Sequence, residues 1–501
     1  MAELGSPAAG WRAPSDRPYD VAVIGGGPSG ATAARLLREW GHSVVLLARA
    51  AGHRPPLAES VPPSARKVLA AVGALAWVEG HGFLPTTGNT SWWASHEPQV
   101  ERFPTAGFQV LRDELEAVLL AGATRAGVET HEEFRVREVR FDAAEAVVVH
   151  GERQGRGPSV LRAGEILDAS GRAGVVAGEG FRSEQGPPTL ALSAVWRRDS
   201  GFPVPDDSHT LVEAFASGWA WSVPVSRGVR HVTVMVDPPA PGRARRDPGA
   251  LYADALGQAR HLQALVAGAE RVGAAWALDA STYSSRRFEA SRLLLVGDAA
   301  SFIDPLSSFG VKKALASAWL AAVATHTGLR HPERAEMARA FFSRREEQIY
   351  ARYAREAARH ARSAARRYAE SAFWSARAVG PPPGAEPDAP LATDAAIQAA
   401  FDDVKTRRRL RLGLGAGVRM GPAPLVVEHE IELAESLLTA TGDPVHSLEG
   451  VQAARLARLA PGHDDVGRLF EAYAAQAPGA GLGEFLRALA TLIAAGLLRP
   501  E

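Results

Sequence analysis

The chain has 501 residues, of which 46% are apolar and 22% charged, and its 56 basic and 56 acidic side chains cancel. This length predicts two or three domains, and zero net charge gives no indication of a nucleic-acid or membrane partner. The absence of cysteine excludes disulfides, thiol catalysis and cysteine-ligated metals, and it fits a cytoplasmic protein; no metal site is expected.

The first 18 residues are polar, rich in proline and glycine, and lack the layout of a signal peptide, so we expect them to be disordered. The longest apolar run, near Ala314–Ala324, is too short for a membrane span and predicts a buried helix.

A glycine-rich turn follows the first apolar strand. Val21–Ile24 runs into the sequence GGGPSG, and a helical pattern comes next. Gly25 permits the turn, Gly27 lets the backbone approach a pyrophosphate, and Gly30 allows close helix–strand packing. The helix N-terminus, with Ser29, offers N–H groups to the anion. The arrangement predicts a dinucleotide site.

The second strand, Ser43–Leu47, does not end in the acidic residue that usually binds ribose. Ala48 and Arg49 stand there instead. Arg49 or Glu59 is therefore expected to substitute for that contact.

A second strand–turn–helix segment begins at Leu293–Val296 and continues as GDAASFIDPLSSFG into an apolar helix. It resembles the second FAD motif of the para-hydroxybenzoate-hydroxylase-like flavoproteins. The resemblance implies that Asp298, after Gly297, binds a ribitol or ribose hydroxyl. It also implies that the helix N-terminus faces the flavin, with contacts from Pro305, Gly310, Val311 and Lys312.

Two shorter matches also favour FAD. Arg112, in VLRDEL, stands where that family has an FAD-contacting arginine, although it could equally form a salt bridge at a helix start. Asp168, in DASGR, ends a strand where the family has an acidic-glycine motif, and Val136 is taken as a further contact.

The resemblance implies an α/β fold with a Rossmann-type, glutathione-reductase-like FAD-binding domain over residues 19–377. An antiparallel β-sheet that carries the substrate is inserted at about 85–100 and 181–285. A proline-rich linker, 378–400, precedes a C-terminal helical domain, 401–501. That domain could grip a peptide in a winged-helix-like manner or serve as a stabilising lid.

Within the inserted sheet, the sequence GWAWSVP places Trp219 and Trp221 on one face of a strand. They could pack in the core or wall a dry tunnel between flavin and substrate. The stretch resembles the WxWxIP signature of flavin-dependent tryptophan halogenases, with Val223 in place of Ile. The Phe302–Gly310 and Glu59–Ser64 segments resemble other parts of those enzymes.

Halogenases need a lysine that captures or orients hypohalous acid, and the corresponding segment Thr86–Trp93 has none. Ser307 also replaces a glutamate of the halogenases that act on free tryptophan. The chain is thus more similar to halogenase-like monooxygenases, including a branch that matures protein-derived quinone cofactors.

The resemblance implies an FAD-dependent monooxygenase that acts through a flavin hydroperoxide on an indole- or phenol-like substrate, free or bound to a peptide or carrier. O₂ and either NAD(P)H or a separate flavin reductase would supply oxygen and electrons. A halogenase and a non-catalytic flavin-binding partner protein are the alternatives. Candidate catalytic residues, each of which could be structural, are Trp219, Trp221, Phe302, Asp304, Pro305, Ser308 and His96, with Glu97 beside the last.

Overall fold

A computed structural model describes residues 18–49, 57–141, 147–155, 157–184, 186–240, 247–380, 391–407 and 409–501. Apart from Pro18, the segment predicted to be disordered lies outside the described residues. The chain divides into two compact units, Met1–Arg330 with Phe342–Pro382, and His331–Phe341 with Pro383–Glu501.

The strands of the first unit, in chain order, are β1 (Tyr19–Ile24), β2 (Val44–Leu47), β3 (Ala58–Val61), β4 (Leu84–Trp92), β5 (Gln99–Leu111), β6 (Glu129–His131), β7 (Phe134–Phe141), β8 (Val147–Arg153), β9 (Gly157–Asp168), β10 (Arg182–Glu184), β11 (Leu190–Arg197), β12 (Thr210–Phe215), β13 (Gly218–Ser226), β14 (Val229–Val236), β15 (Glu270–Asp279), β16 (Tyr283–Ser285), β17 (Glu289–Ala290), β18 (Leu293–Leu295) and β19 (Ser301–Phe302).

The helices up to residue 377 are α1 (Pro28–Glu39), α2 (Ala65–Ala71), α3 (Leu75–His81), α4 (Arg112–Arg125), α5 (Gly178–Phe181), α6 (Pro248–Leu256), α7 (Arg260–Val266), α8 (Gly310–Arg330), α9 (Ala335–Arg367) and α10 (Ala372–Arg377). Of these, α9 begins in the second unit.

The first sheet has the strand order β17-β18-β9-β1-β2-β6, and the β7–β8 hairpin extends it from β9. β1 runs parallel to β2 and β9, so that Ile24 lies opposite both Leu47 and Asp168. The carboxyl ends of these strands therefore meet at one edge of the sheet, where doubly wound folds bind nucleotides. The predicted Rossmann-type architecture is present.

The apolar run at Ala314–Ala324 lies within α8, where nearly all of its side chains are buried. A helix that is apolar on most of its surface needs protein on most sides. The predicted buried helix is confirmed. Within the described ranges, no helix has the length and apolar character needed to cross a membrane.

The second sheet is the predicted insert, with strand order β15-β11-β14-β13-β12-β4-β5-β3. One face packs against α6 and α7 through Leu192, Val232 and Tyr252. The opposite face carries Trp219 and packs against residues of α9 and α10, among them Trp374. A sheet covered on both faces holds its side chains in fixed positions, which suits a site built on it.

α10 and the end of α9 are tied to this sheet by side-chain hydrogen bonds. Trp374 is buried and donates from Nε1 to the Phe215 carbonyl at 2.8 Å. The Tyr368 hydroxyl donates to the Ala214 carbonyl at 2.8 Å. α10 and the end of α9 thus belong to the first unit's core.

The second unit contains α11 (Asp394–Thr406), α12 (Ala453–Leu459), α13 (Val466–Gln476) and α14 (Leu482–Ala494), together with strands β20 (Leu412–Leu414), β21 (Arg419–Val427), β22 (Glu430–Leu438), β23 (Pro444–Val445), β24 (Ser447–Leu448), β25 (Val451–Gln452) and β26 (Leu498–Pro500). The predicted helices are present, and Phe485, Leu489 and Leu492 of α14 are buried.

Two features of this unit differ from the sequence expectation. A hairpin of β21 and β22 accompanies the helices. The sequence did not predict it, because the prolines of β21 argue against a strand. Proline is nevertheless tolerated here, since β21 is an edge strand. α11 begins at Asp394, inside the predicted linker. Thr393 caps its N-terminus by accepting a hydrogen bond from Ala396 N. Residues 381–390 of that linker lie outside the described residues.

Candidate functional site

A cavity of about 480 Å³ opens where the glycine-rich turn leaves β1. Seven residues predicted from the sequence line it: Gly25, Gly27, Ser29, Arg49, Arg112, Val136 and Asp298. Segments far apart in the chain therefore converge on one space, as the two-motif prediction requires.

The cavity also contains residues that the sequence analysis missed. Glu116, Phe134, Arg135 and Ser170 are among them. Glu116 follows Arg112 by one helical turn, so the spacing could have indicated it. The others depend on how β7 pairs with β8 and β9 with β1, which no local pattern reports.

The glycine-rich turn has no room for side chains. Gly25 has a φ of +112°, and a Cβ there would lie 2.3 Å from the Ala169 carbonyl oxygen. A Cβ on Gly30 would lie 1.8 Å from the Gly25 carbonyl oxygen. Pro28 occupies the first turn of α1, where a missing N–H costs nothing. The backbone is thus shaped to approach a pyrophosphate closely, which fits FAD.

The second motif touches the first through Ser29. Gly297 has a φ of +62°, and a Cβ there would lie 2.2 Å from Ser29 Oγ. This close approach brings the next residue, Asp298, into the cavity wall. The Asp298 carbonyl accepts a hydrogen bond from the Tyr283 hydroxyl at 2.5 Å. The turn is therefore restrained by Tyr283 as well as by its contact with Ser29.

Arg112 lies among carboxylates in the cavity. Its Nε is 3.0 Å from Glu116 Oε1 and its Nη1 is 3.3 Å from Glu59 Oε1. Burial opposes the charge of Arg112, but Glu59, Asp298 and Glu116 raise its pKa above the ordinary value. The guanidinium is therefore always charged and is restrained by carboxylates. Arg112 thus lines the cavity and forms the salt bridge that was one alternative, while the FAD contact stays a prediction.

The two candidates for the missing ribose acid differ in position. Arg49 lines the cavity, whereas Glu59 is not among the lining residues and its carboxylate is held by Arg112. Burial raises the pKa of Glu59, and the charge of Arg112 opposes that rise. Arg49 is the better placed of the two to meet a ligand.

Asp168 requires a correction. Its side chain is fully buried and accepts hydrogen bonds from Ser170 N and Oγ, at 3.1 and 2.5 Å, and from Val176 N and Ala177 N, at 2.8 and 2.9 Å. A carboxylate has about four lone-pair sites, so these bonds occupy it. Asp168 shapes the loop whose residues Ala169 to Gly171 line the cavity, and it does not face the cavity itself.

The residues before α8 form a tight turn. Asp304 Oδ1 accepts a hydrogen bond from Leu306 N at 2.9 Å, and burial raises the pKa of the Asp304 carboxyl. Pro305 begins a short 3₁₀ turn, and Ser308 ends it with a φ of +53°. Asp304 is therefore positioned as the cap of this turn.

α8 then begins at Gly310. Of this helix, Ala314 lines the cavity, and Gly310, Val311 and Lys312 are not among the lining residues. Lys312 Nζ instead donates to Ser64 Oγ at 3.2 Å. The role predicted for their amides therefore remains a prediction about a part of the flavin outside this cavity.

Trp219 and Trp221 stack on one face of the second sheet, with ring centroids 4.9 Å apart. Trp219 is 3% exposed, whereas Trp221 is only partly buried. Trp93 and Phe302 belong to the same apolar cluster. Trp219 is therefore a core residue, and Trp221 is the indole with an accessible surface.

The face of the sheet that carries Trp221 also presents polar groups that the sequence analysis missed. Thr233 lies opposite both Trp221 and Ser193, and its hydroxyl is 2.8 Å from Ser193 Oγ. His231 is on the same face, and burial lowers its pKa to about 4. Only the strand register, which the sequence does not give, reveals that these residues share a face.

His96 lies at the surface. Its Nδ1 is 2.8 Å from Arg367 Nη2, and it is not among the residues that line the cavity, nor is its neighbour Glu97. The predicted catalytic role for His96 gains no support from this position.

The cavity and the sheet define an FAD-dependent enzyme of halogenase-like fold. The chain belongs to the FAD binding domain family, which it matches over residues 18–330, more than half of its length. FAD is its cofactor, and the glycine cradle described above fits that cofactor. The predicted family resemblance, fold class and cofactor are confirmed.

Several sequence relatives carry halogenase names, and two of them illustrate the similarity. A tryptophan 2-halogenase from Chondromyces crocatus is 28% identical over 368 residues, covering 71% of this chain and 70% of the relative. The flavin-dependent halogenase armH3 from Armillaria mellea is 26% identical over 367 residues, covering 67% and 72%.

Two solved structures match over nearly the whole chain. The flavin-dependent halogenase CmlS has a TM-score of 0.77 and covers 97% of this chain and 96% of its own, but at 23% identity it shows the fold alone. The peptidyl tryptophan dihydroxylase QhpG has a TM-score of 0.70 and 26% identity, and covers 96% and 100%. Halogenases and a hydroxylase thus share this architecture.

Proposed function

We propose that the chain is an FAD-dependent monooxygenase that oxidises an electron-rich indole- or phenol-like ring carried by a peptide or carrier. The observation that carries this proposal is the absence of lysine from the Thr86–Trp93 segment, where the resemblance to halogenases requires one. The similarity to a peptidyl tryptophan dihydroxylase across the second unit as well as the first supports a peptide-borne substrate.

The proposed hydroxylation consumes O₂ and two electrons for each oxygen atom added to the ring. When bound and reduced, FAD supplies two electrons to activate O₂. One oxygen atom replaces a ring hydrogen as a hydroxyl group, and the other leaves as water. The electrons come from NAD(P)H, delivered either directly or through a separate flavin reductase.

The protein's part is to bind, orient and exclude water. Trp221, stacked on the buried Trp219, gives the sheet a rigid aromatic wall. The buried Ser193–Thr233 hydroxyl pair on the same face ties β11 to β14 and keeps this wall rigid. Burial lowers the pKa of His231 to about 4, so its imidazole is neutral at pH 7 and adds no charge to this face.

Halogenation is the second candidate, and the similarity to halogenases favours it. It would need a lysine from elsewhere in the chain. Lys312 is bonded to Ser64 and Lys313 is buried, while Lys67 and Lys405 lie on other helices, so this route requires a rearrangement.

The test is the mass of the product. The purified protein with FAD, a flavin reductase, NAD(P)H and O₂ would be incubated with free and peptide-borne indoles and phenols, in chloride, in bromide and without halide. The proposal expects the mass of one or two oxygen atoms on a peptide-borne ring, independent of halide. A halogen isotope pattern would establish the second candidate, and no substrate-dependent oxygen consumption would favour a non-catalytic flavoprotein.

A further inference from the structure

Lys313, the fourth residue of α8, is a buried cation that no predicted role uses. Its side chain is 3% exposed, and its Nζ donates to the Gly297 carbonyl at 2.9 Å and to the Ser301 carbonyl at 2.6 Å. Those two carbonyls flank the segment that contains Asp298. A buried ammonium group is retained only where it gains strong partners, and here the partners are backbone atoms of the flavin motif.

α8 holds Gly297 by its other backbone group as well. Ser317, one helical turn after Lys313 and on the same face, accepts a hydrogen bond from Gly297 N at 2.9 Å. One helix thereby fixes both the N–H and the C=O of the residue that precedes Asp298. Since Gly297 has a φ of +62°, its peptide planes need such restraint to present Asp298 in one direction.

A second buried ionisable group, Glu346, lies on α9. Glu346 is fully buried, and burial raises its pKa, while the charge of Lys313 and the nearby Ser317 oppose that rise. Among the described residues, Lys313 is the cation that influences this carboxyl.

We propose that Lys313 is a positioning residue that fixes the Gly297–Ser301 turn so that the Asp298 carboxylate meets a ribitol or ribose hydroxyl of FAD. Lys312, one residue earlier, points to Ser64 instead, so the two adjacent lysines have separate tasks. The inference concerns FAD binding and does not depend on whether the enzyme hydroxylates or halogenates.

The test measures FAD binding to the deflavinated full-length protein by flavin fluorescence, together with the flavin absorption spectrum and thermal stability. K313M is expected to weaken FAD binding at least tenfold and to change the flavin spectrum. K67M, at an exposed lysine of α2, should match the wild type.

A double variant separates positioning from stability. K313M/E346L removes both buried ionisable side chains, so stability is expected to recover relative to K313M while FAD binding stays weak. Recovery of FAD affinity together with stability would overturn the proposal, because Lys313 would then be only a structural residue.

A mutant cycle tests whether Lys313 acts through Asp298. In a D298A background, K313M/E346L should weaken FAD binding by less than twofold further, because the contact it positions is already lost. Independent, multiplying losses would show that Lys313 acts by another route. Either result is read from FAD binding, so failure of the proposed oxygenase chemistry would not be confused with it.

Discussion

Ser29 and Gly297, which lie 268 positions apart in the sequence, are in direct contact where the two flavin motifs meet, so closely that a Cβ on Gly297 would lie 2.2 Å from the serine Oγ. The first turn of α1 and the turn after β18 are thereby held as one surface. The two turns predicted to bind the phosphate and hydroxyl groups of FAD therefore meet at this contact.

The first prediction follows from that contact. G297A should yield protein with little or no bound FAD, because the new methyl group meets Ser29 and the residue must also keep a φ of +62°. G82A is the matched control. Gly82 has a φ of +85° and no atom near its Cβ position, so this variant bears only the backbone cost of roughly 1–2 kcal/mol. Visible absorbance after purification gives the comparison, and equal flavin content in both would refute the importance of the contact.

The second prediction concerns Asp298. D298A should weaken FAD binding by roughly 1.5–3 kcal/mol, or about 10- to 150-fold, because a hydroxyl of FAD loses a charged acceptor. D199A, at an exposed aspartate of the first unit, serves as the control for charge removal. Fluorescence titration of the deflavinated proteins measures both. An unchanged dissociation constant in D298A would remove Asp298 from the site.

Much of this site could be predicted because its parts are local. Local sequence indicates each of them within a few residues, as in Gly25–Gly30 and Gly297–Asp298. Glycine indicates a positive φ, proline a helix start, and an apolar run the strand before the turn. The convergence of these segments on one cavity then follows from the right-handed βαβ connections of a parallel sheet.

The rest depends on pairings that no local pattern contains. Asp168 has the residue type and position of a ligand, yet four hydrogen bonds from the following loop occupy it. His231 and Trp221 share a face only because β13 and β14 pair in one register. In the sequence, Lys312 and Lys313 are two adjacent lysines near a helix start. Only the fold shows that Lys313 is the buried one.

The third prediction is a pH dependence of stability. Burial lowers the pKa of His231 from 6.5 to about 4, with Asp113 opposing that shift. The unfolded chain therefore binds the proton first, and stability is lost as pH falls from about 6.5 toward 4. This residue should account for about 3 kcal/mol between pH 7 and pH 4. H231Q should lose correspondingly less stability than the wild type over that range in urea unfolding. Parallel curves for the two proteins would contradict the burial of a neutral imidazole.

The fourth prediction concerns the boundary after α10. A chain that ends at Gly380 should still bind FAD, because every flavin motif lies before it and α10 keeps its bond from Trp374 to the Phe215 carbonyl. A chain that ends at Arg367 loses α10 and should be markedly less stable. Flavin content and thermal unfolding of the two shortened chains provide the measurement. If the longer one is insoluble or colourless, the second unit is required for the FAD-binding core.

The fifth prediction separates the two stacked indoles of β13. Trp219 is 3% exposed, so W219A should cost about 3–5 kcal/mol of folding stability, as expected for a core aromatic residue. Trp221 is only partly buried, and W221F should keep the fold and the flavin. If Trp221 shields the reacting oxygen from water, W221F should release several-fold more hydrogen peroxide per NAD(P)H consumed, whereas W219F should not. The measurements are urea unfolding and peroxide yield during turnover. Unchanged coupling in W221F, or an equal rise in both phenylalanine variants, would make Trp221 a packing residue like its neighbour, and the wall of the substrate site would have to be sought among the other residues of that sheet face.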